Sequence, residues 1–280
     1  MALDCAPVAS IRPALAILGA WLTMLWLVRV MRRDMTDKLC AWILMAAIGC
    51  SACRAPEKLS LPAQQAAPSR VLFVGNSFTF YNNGLHNLYR AMVRERGGDT
   101  RGIRALTLSG GKLSEHRAGL GQRLAEQRWD AVVLQGHSRG PLVDLDAFLR
   151  AAGGCSEQVR HHGARPWLMM TWAYEGKPGM TASLAAGYDE AAQRASAAVA
   201  PVGLAFARVT DAHPEIALRM ADGKHPTLAG SYLAACTLFA ALRAESPIGL
   251  AYSAGLSETV VSVLQRAAWH TVQEFDARDR

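Results

Sequence analysis

The sequence predicts an α/β fold, a parallel sheet covered by helices on both faces, and two observations carry that prediction. From residue 70 onward, short continuous apolar runs recur, as in VLFV at 71–74 and AVVL at 131–134. Each run is followed by a longer stretch with helical spacing of apolar residues, so strands and helices alternate. The runs lack the in–out alternation of a half-exposed strand, which fits strands buried on both faces.

The elements follow in order. Residues 71–74 form the first strand, and 84–96 a helix with Leu85, Leu88, Met92 and Val93 at helical spacing. Residues 103–108 are a second strand and 117–127 a helix. Residues 131–134 are a third strand, followed by a helix over 144–161. Residues 166–171 are a fourth strand, and 181–199 an alanine-rich helix. A fifth, weaker strand is predicted at 202–206, with final helices over 228–242 and 258–275. Sheets of this kind place their sites at the carboxyl ends of strands.

Two apolar segments precede this domain, within residues 1–53. Residues 13–28 are uncharged and approach the length of a short membrane span. Residues 39–52 suit a signal-peptide core, preceded by Arg29, Arg32, Arg33 and Lys38. The stretch AAIGC ending at Cys50 resembles a bacterial lipobox, with Ala47 where leucine is usual, and makes Cys50 the candidate for lipidation. Met31 or Met35 is a natural start for such a signal, which would leave residues 1–30 upstream of it. The competing reading is a first membrane helix with the basic connector held inside. Both readings put the domain at the cell envelope, anchored to a membrane through its N-terminal region and facing away from the cytoplasm. Residues 54–69, rich in Pro, Ala, Gln and Ser, read as a flexible tether. Residues 70–280 form the domain.

Composition narrows the function. The chain carries a net charge of +7, but its arginines are scattered and form no long basic block. A solvated basic surface is expected, not a nucleic-acid partner. Of the six cysteines, only Cys155 and Cys236 fall in the domain, and no Cys/His cluster has zinc spacing. No phosphate-binding glycine motif follows a strand. No cofactor or metal is implied.

Two serines compete as nucleophiles. Gly136-His137-Ser138-Arg139-Gly140 fits the Gly-x-Ser-x-Gly elbow of α/β-hydrolases. Pro141 and Asp144 follow where that elbow's helix should already run. Ser77, in Gly75-Asn76-Ser77-Phe78-Thr79, lies on the turn from the first strand into the first helix. Far along the chain, Asp222-Gly223-Lys224-His225-Pro226 lets a carboxylate fold back onto an imidazole. Ser77, His225 and Asp222 then supply nucleophile, base and orienting carboxylate.

With both blocks in that order, residues 70–242 resemble the SGNH/GDSL hydrolases. The resemblance implies a three-layer α/β/α sandwich with a flavodoxin-like, five-stranded parallel sheet. It implies hydrolysis of carboxylic esters by Ser77, His225 and Asp222. Short acyl groups on envelope glycans are one substrate class that would suit the location. It also implies an oxyanion hole from the N–H groups of Ser77 and Gly111 and a side chain after the third strand. That side chain is usually asparagine. Here the block reads Gln135-Gly136-His137-Ser138, so Gln135 or Ser138 is the expected replacement. The altered block also leaves open a non-catalytic module that binds a glycan or protein partner in the same cleft. Trp172, at the end of the fourth strand, is either core packing or a platform for substrate.

Overall fold

The structure, a computed structural model, describes residues 67–278. The predicted export region, Cys50 and residues 54–66 of the tether lie outside the described residues. Among the described residues, no helix is long and apolar enough to cross a membrane.

The first strand, β1 (Val71–Gly75), is buried along its whole length. Val71 and Phe73 point into one core. Leu72 and Val74 point into a second core on the opposite face. A strand with two buried faces must be apolar throughout, hence the unbroken VLFV. A short helix α1 (Ser77–Phe80) follows, then α2 (Leu85–Glu95), β2 (Arg104–Thr107), a 3₁₀ turn (Leu113–His116) and α3 (Arg117–Glu126). β3 (Ala131–Leu134), the single turn α4 (Gly140–Val143) and α5 (Leu145–His161) come next. β4 (Arg165–Met169), α6 (Met180–Ala195), β5 (Ala198–Ala200), α7 (Val202–Ala212), α8 (Leu228–Arg243) and α9 (Glu258–Ala277) complete the fold.

The five strands are ordered β2-β1-β3-β4-β5. Every pairing is parallel. This is the flavodoxin-like order, whose switch point lies between β1 and β3. Helices α2, α7 and α8 cover one face, with α9 packed outside α7 and α8. Helices α3, α5 and α6 cover the other. Helix α8 lies between the sheet and α9 and has 13 of its 16 residues buried, so it is apolar on every side.

The fifth strand is not where the sequence suggested. Residues 202–206 open α7, and β5 is the three-residue Ala198–Ala200. Helix α6 stops at Ser196, whose φ of 46° is left-handed. The run at 202–206 is apolar because α7 is buried against the sheet. A Cβ on Gly203 would come 2.1 Å from the Thr171 carbonyl, so the helix lies directly on the end of β4.

Asp130 fastens the starts of β1 and β3. Its Oδ2 accepts the N–H groups of Ser69 and Arg70 at 3.0 and 2.9 Å, and Oδ1 accepts the Arg70 guanidinium at 2.9 Å. Partial burial would raise the pKa of this carboxyl. The hydrogen bonds from Arg70 and Ser69 outweigh that and hold it at about 2.

Candidate active site

The site is built where β1 ends. A Cβ on Gly75 would come 2.3 Å from Thr79 Oγ1 and 2.4 Å from Gln135 Oε1, so no side chain fits there. Asn76 caps α1: its Oδ1 accepts the Phe78 N–H at 3.1 Å, and its Nδ2 donates to the Gly111 carbonyl at 3.1 Å. Ser77 is therefore the first residue of α1. Its N–H is one of those a helix leaves without an internal partner, and its side chain is only half-buried.

Ser77 Oγ lies 3.0 Å from His225 Nε2. His225 Nδ1 is hydrogen-bonded to Asp222 Oδ2. Asp222 Oδ1 also accepts the N–H groups of Lys224 and His225, at 2.9 and 3.0 Å. Gly223 takes a φ of +69°, which lets the loop close this tightly. The hydrogen bond from His225, with those two N–H groups, brings the Asp222 carboxyl down to about 2. Asp222 is thus an anion at neutral pH, although its side chain is 43% exposed. Serine hydroxyl, imidazole and carboxylate thus stand in hydrogen-bonding sequence.

Aromatic residues fix the imidazole. Tyr81 stacks on His225 with centroids 4.6 Å apart, and Phe78 meets it edge-on at 5.7 Å. Trp172 stacks between Phe78 and Phe206, at 4.3 and 4.2 Å. Its indole N–H donates to the Lys224 carbonyl at 3.0 Å. Fully buried, Trp172 is core packing that also steadies the histidine loop; it is not a platform. The Glu175 N–H reaches the Gly223 carbonyl at 2.9 Å, so the segment after β4 holds this loop at two points. Asn82 donates to the Pro226 carbonyl at 2.9 Å and to Ser231 at 2.8 Å, tying the α1–α2 turn to the start of α8.

Gln135 and Ser138 both lie at the end of β3, as expected, and do different things. Gln135 is fully buried. Its Oε1 accepts the Asn76 N–H at 2.8 Å and the Thr79 hydroxyl at 2.9 Å, and its Nε2 donates to the Gly136 carbonyl. This geometry argues against Gln135 as an oxyanion donor, because its amide braces the turn that carries Ser77. We expect Gln135→Leu to leave two buried donors bare, at about 1–3 kcal/mol each, read as a lowered midpoint in urea. An unchanged midpoint would rule out the bracing role.

The Ser138 hydroxyl lies 2.7 Å from the Tyr174 phenol, and its carbonyl accepts the Thr171 hydroxyl at 3.0 Å. Its side chain meets a tyrosine, not a histidine, and the helix after it is a single turn. The elbow reading of Ser138 therefore has no base beside it. Gly111, expected to offer its N–H to the oxyanion, instead donates that N–H to the Leu108 carbonyl at 3.0 Å and closes a turn, while its carbonyl accepts from Asn76. Tyr81 and Tyr174 were not foreseen, since an isolated tyrosine carries no spacing signal.

No family model matches the chain, and no curated protein matches it in sequence. Solved structures do. A protein from Slackia heliotrinireducens assigned to the SGNH hydrolases is 29% identical, with a TM-score of 0.50 over 61% of this chain and 96% of that one. A DUF4886 family protein from Bacteroides uniformis is 20% identical, with a TM-score of 0.62 over 74% of this chain and 95% of that one. An acetyl xylan esterase, AlAXEase, is 15% identical, with a TM-score of 0.53 over 62% and 99% of the two chains. The latter two show the fold alone. The strand order, the Gly-Asn-Ser turn after β1 and the Asp-x-x-His loop before α8 thus sit on an SGNH hydrolase fold, and in sequence the chain is similar to the Slackia protein.

Proposed function

We propose that the protein hydrolyses carboxylic esters with Ser77 as nucleophile. The observation that carries the proposal is the hydrogen-bonded array from Ser77 Oγ through His225 to Asp222 at the switch point of the sheet. His225 Nε2 takes the Ser77 proton as Oγ attacks the ester carbonyl. The carbonyl π electrons move onto oxygen, and the oxyanion faces the Ser77 N–H and the Ser138 hydroxyl. Tyr174 orients that hydroxyl. As the oxyanion collapses, the C–O bond to the alcohol breaks and His225 returns the proton to the leaving alkoxide. Water, deprotonated by the same imidazole, then cleaves the acyl-serine. Asp222 holds the Nδ1–H tautomer throughout.

Short acyl groups on glycans fall within this substrate class, and an acetyl xylan esterase shares the fold. The altered third block favours a second reading, a non-catalytic binding module on the same site. A fluorophosphonate probe decides between them. The expected result is a single adduct on the peptide that contains Ser77, lost in Ser77→Ala. Absence of any adduct would favour the module, and an adduct on Ser138 would overturn the assignment of the nucleophile.

A further inference from the structure

The loops around Ser77 carry both carboxylates and cations. Each carboxylate is held by a hydrogen bond or an ion pair. Asp222 is bonded to His225, and Glu175 lies 3.4 Å from Arg219. Asp144 accepts the Ala147 N–H at 2.9 Å, and Glu115 accepts the Lys112 N–H at 2.6 Å. The exposed cations Lys112, Arg139 and Lys224 have no ion-pair partner among the described residues.

Two of these cations converge. The Arg139 guanidinium and the Lys224 ammonium each lie 5.7 Å from the centroid of the Tyr174 ring. One comes from the segment after β3, the other from between Asp222 and His225. The Tyr174 hydroxyl is also the partner of Ser138. Two like charges held beside one phenol repel each other, and an anion between them relieves that repulsion. Lys112, His137, Arg139 and Asp144 line a cleft of about 220 Å³ together with Leu113 and Phe148. Lys112 follows β2, and His137 and Arg139 follow β3, the two strands that flank β1 in the sheet. Burial and the neighbouring Arg139 and Lys112 lower the His137 pKa, against a smaller opposing pull from Glu115.

We propose that the site takes esters bearing an anionic group close to the scissile carbonyl, received between Arg139 and Lys224. This rests on the hydrolase reading of Ser77 and narrows its substrate class. A basic surface that is merely solvated does not bring cations from two separate loops onto one ring that also hydrogen-bonds Ser138.

The test compares mono-4-nitrophenyl succinate, an anion, with its neutral methyl ester. We expect kcat/KM to favour the anion by about tenfold or more at low ionic strength. The preference should collapse towards parity in about 0.5 M NaCl, where charges are screened within a few ångströms. It should also fall in Arg139→Gln and Lys224→Gln, each checked for native circular dichroism. A second measurement is independent of turnover: calorimetric binding of succinate to Ser77→Ala, weakened at least tenfold by adding Arg139→Gln. If the neutral ester is cleaved equally well or better, and neither salt nor the substitutions move the ratio, the proposal is overturned. If neither ester is cleaved but succinate binds through Arg139, the anion site stands and the hydrolase reading falls. If succinate does not bind Ser77→Ala and no preference is seen, the anion site falls whatever the chemistry at Ser77.

Discussion

Ser77→Ala is expected to lower kcat on a short-chain 4-nitrophenyl ester by about 10⁴- to 10⁶-fold, as removal of a serine nucleophile does elsewhere. The fold should not notice. Ser77 is half-exposed, and the cap of α1 comes from Asn76, not from the serine hydroxyl. Exposed substitutions without a structural partner change stability by no more than about 0.5 kcal/mol, which is about 2 °C in melting temperature for a domain of this size. The pairing of a large kinetic loss with an unmoved melting curve is what separates a nucleophile from a capping residue. Residual turnover within about tenfold of the parent would return Ser77 to the role of a helix cap.

Asp222→Asn should be the next most damaging change, at about 10³- to 10⁴-fold in kcat. An asparagine still fits the loop and can still accept the N–H groups of Lys224 and His225. It can also turn its NH₂ towards His225 Nδ1. The ring then carries its proton on Nε2, where it cannot accept one from Ser77. The carboxylate also makes a pH-dependent contribution to stability. Its folded pKa is about 2, below the value of about 4 expected in the unfolded chain. That contribution is present in full above about pH 4 and is lost as pH falls through about 2. Acid unfolding of the parent should therefore show a component in that window that Asp222→Asn lacks. A kinetic loss under about tenfold would mean that Tyr81 and Phe78 alone suffice to hold the ring.

Much of this site could be read from the sequence because its parts obey local rules. Ser77 follows an unmistakable buried strand, and Asp222 and His225 lie within one turn of each other. Strands β1 and β3 announced themselves as continuous apolar runs. Strand β5 did not, because Ala-Val-Ala is too short and too small to signal anything, while the apolar start of α7 beside it imitates a strand. The braces were equally hidden. Gln135 was read for its donor, yet its carbonyl oxygen is what the fold uses, joining residues 59 and 56 positions apart. Tyr174 meets Ser138 across 36 positions, and Trp172 meets Lys224 across 52. Contacts of that range leave no periodicity behind.

The bond between Ser77 and His225 spans 148 residues. A chain made from its N-terminus has Ser77 placed on a finished β1 long before His225 is synthesised. The proposed array needs β4 and its following loop in place to dock residues 222–225. On the proposed function, turnover is expected to read out completed folding: stalled or truncated chains that carry an intact Gly-Asn-Ser turn should remain chemically silent.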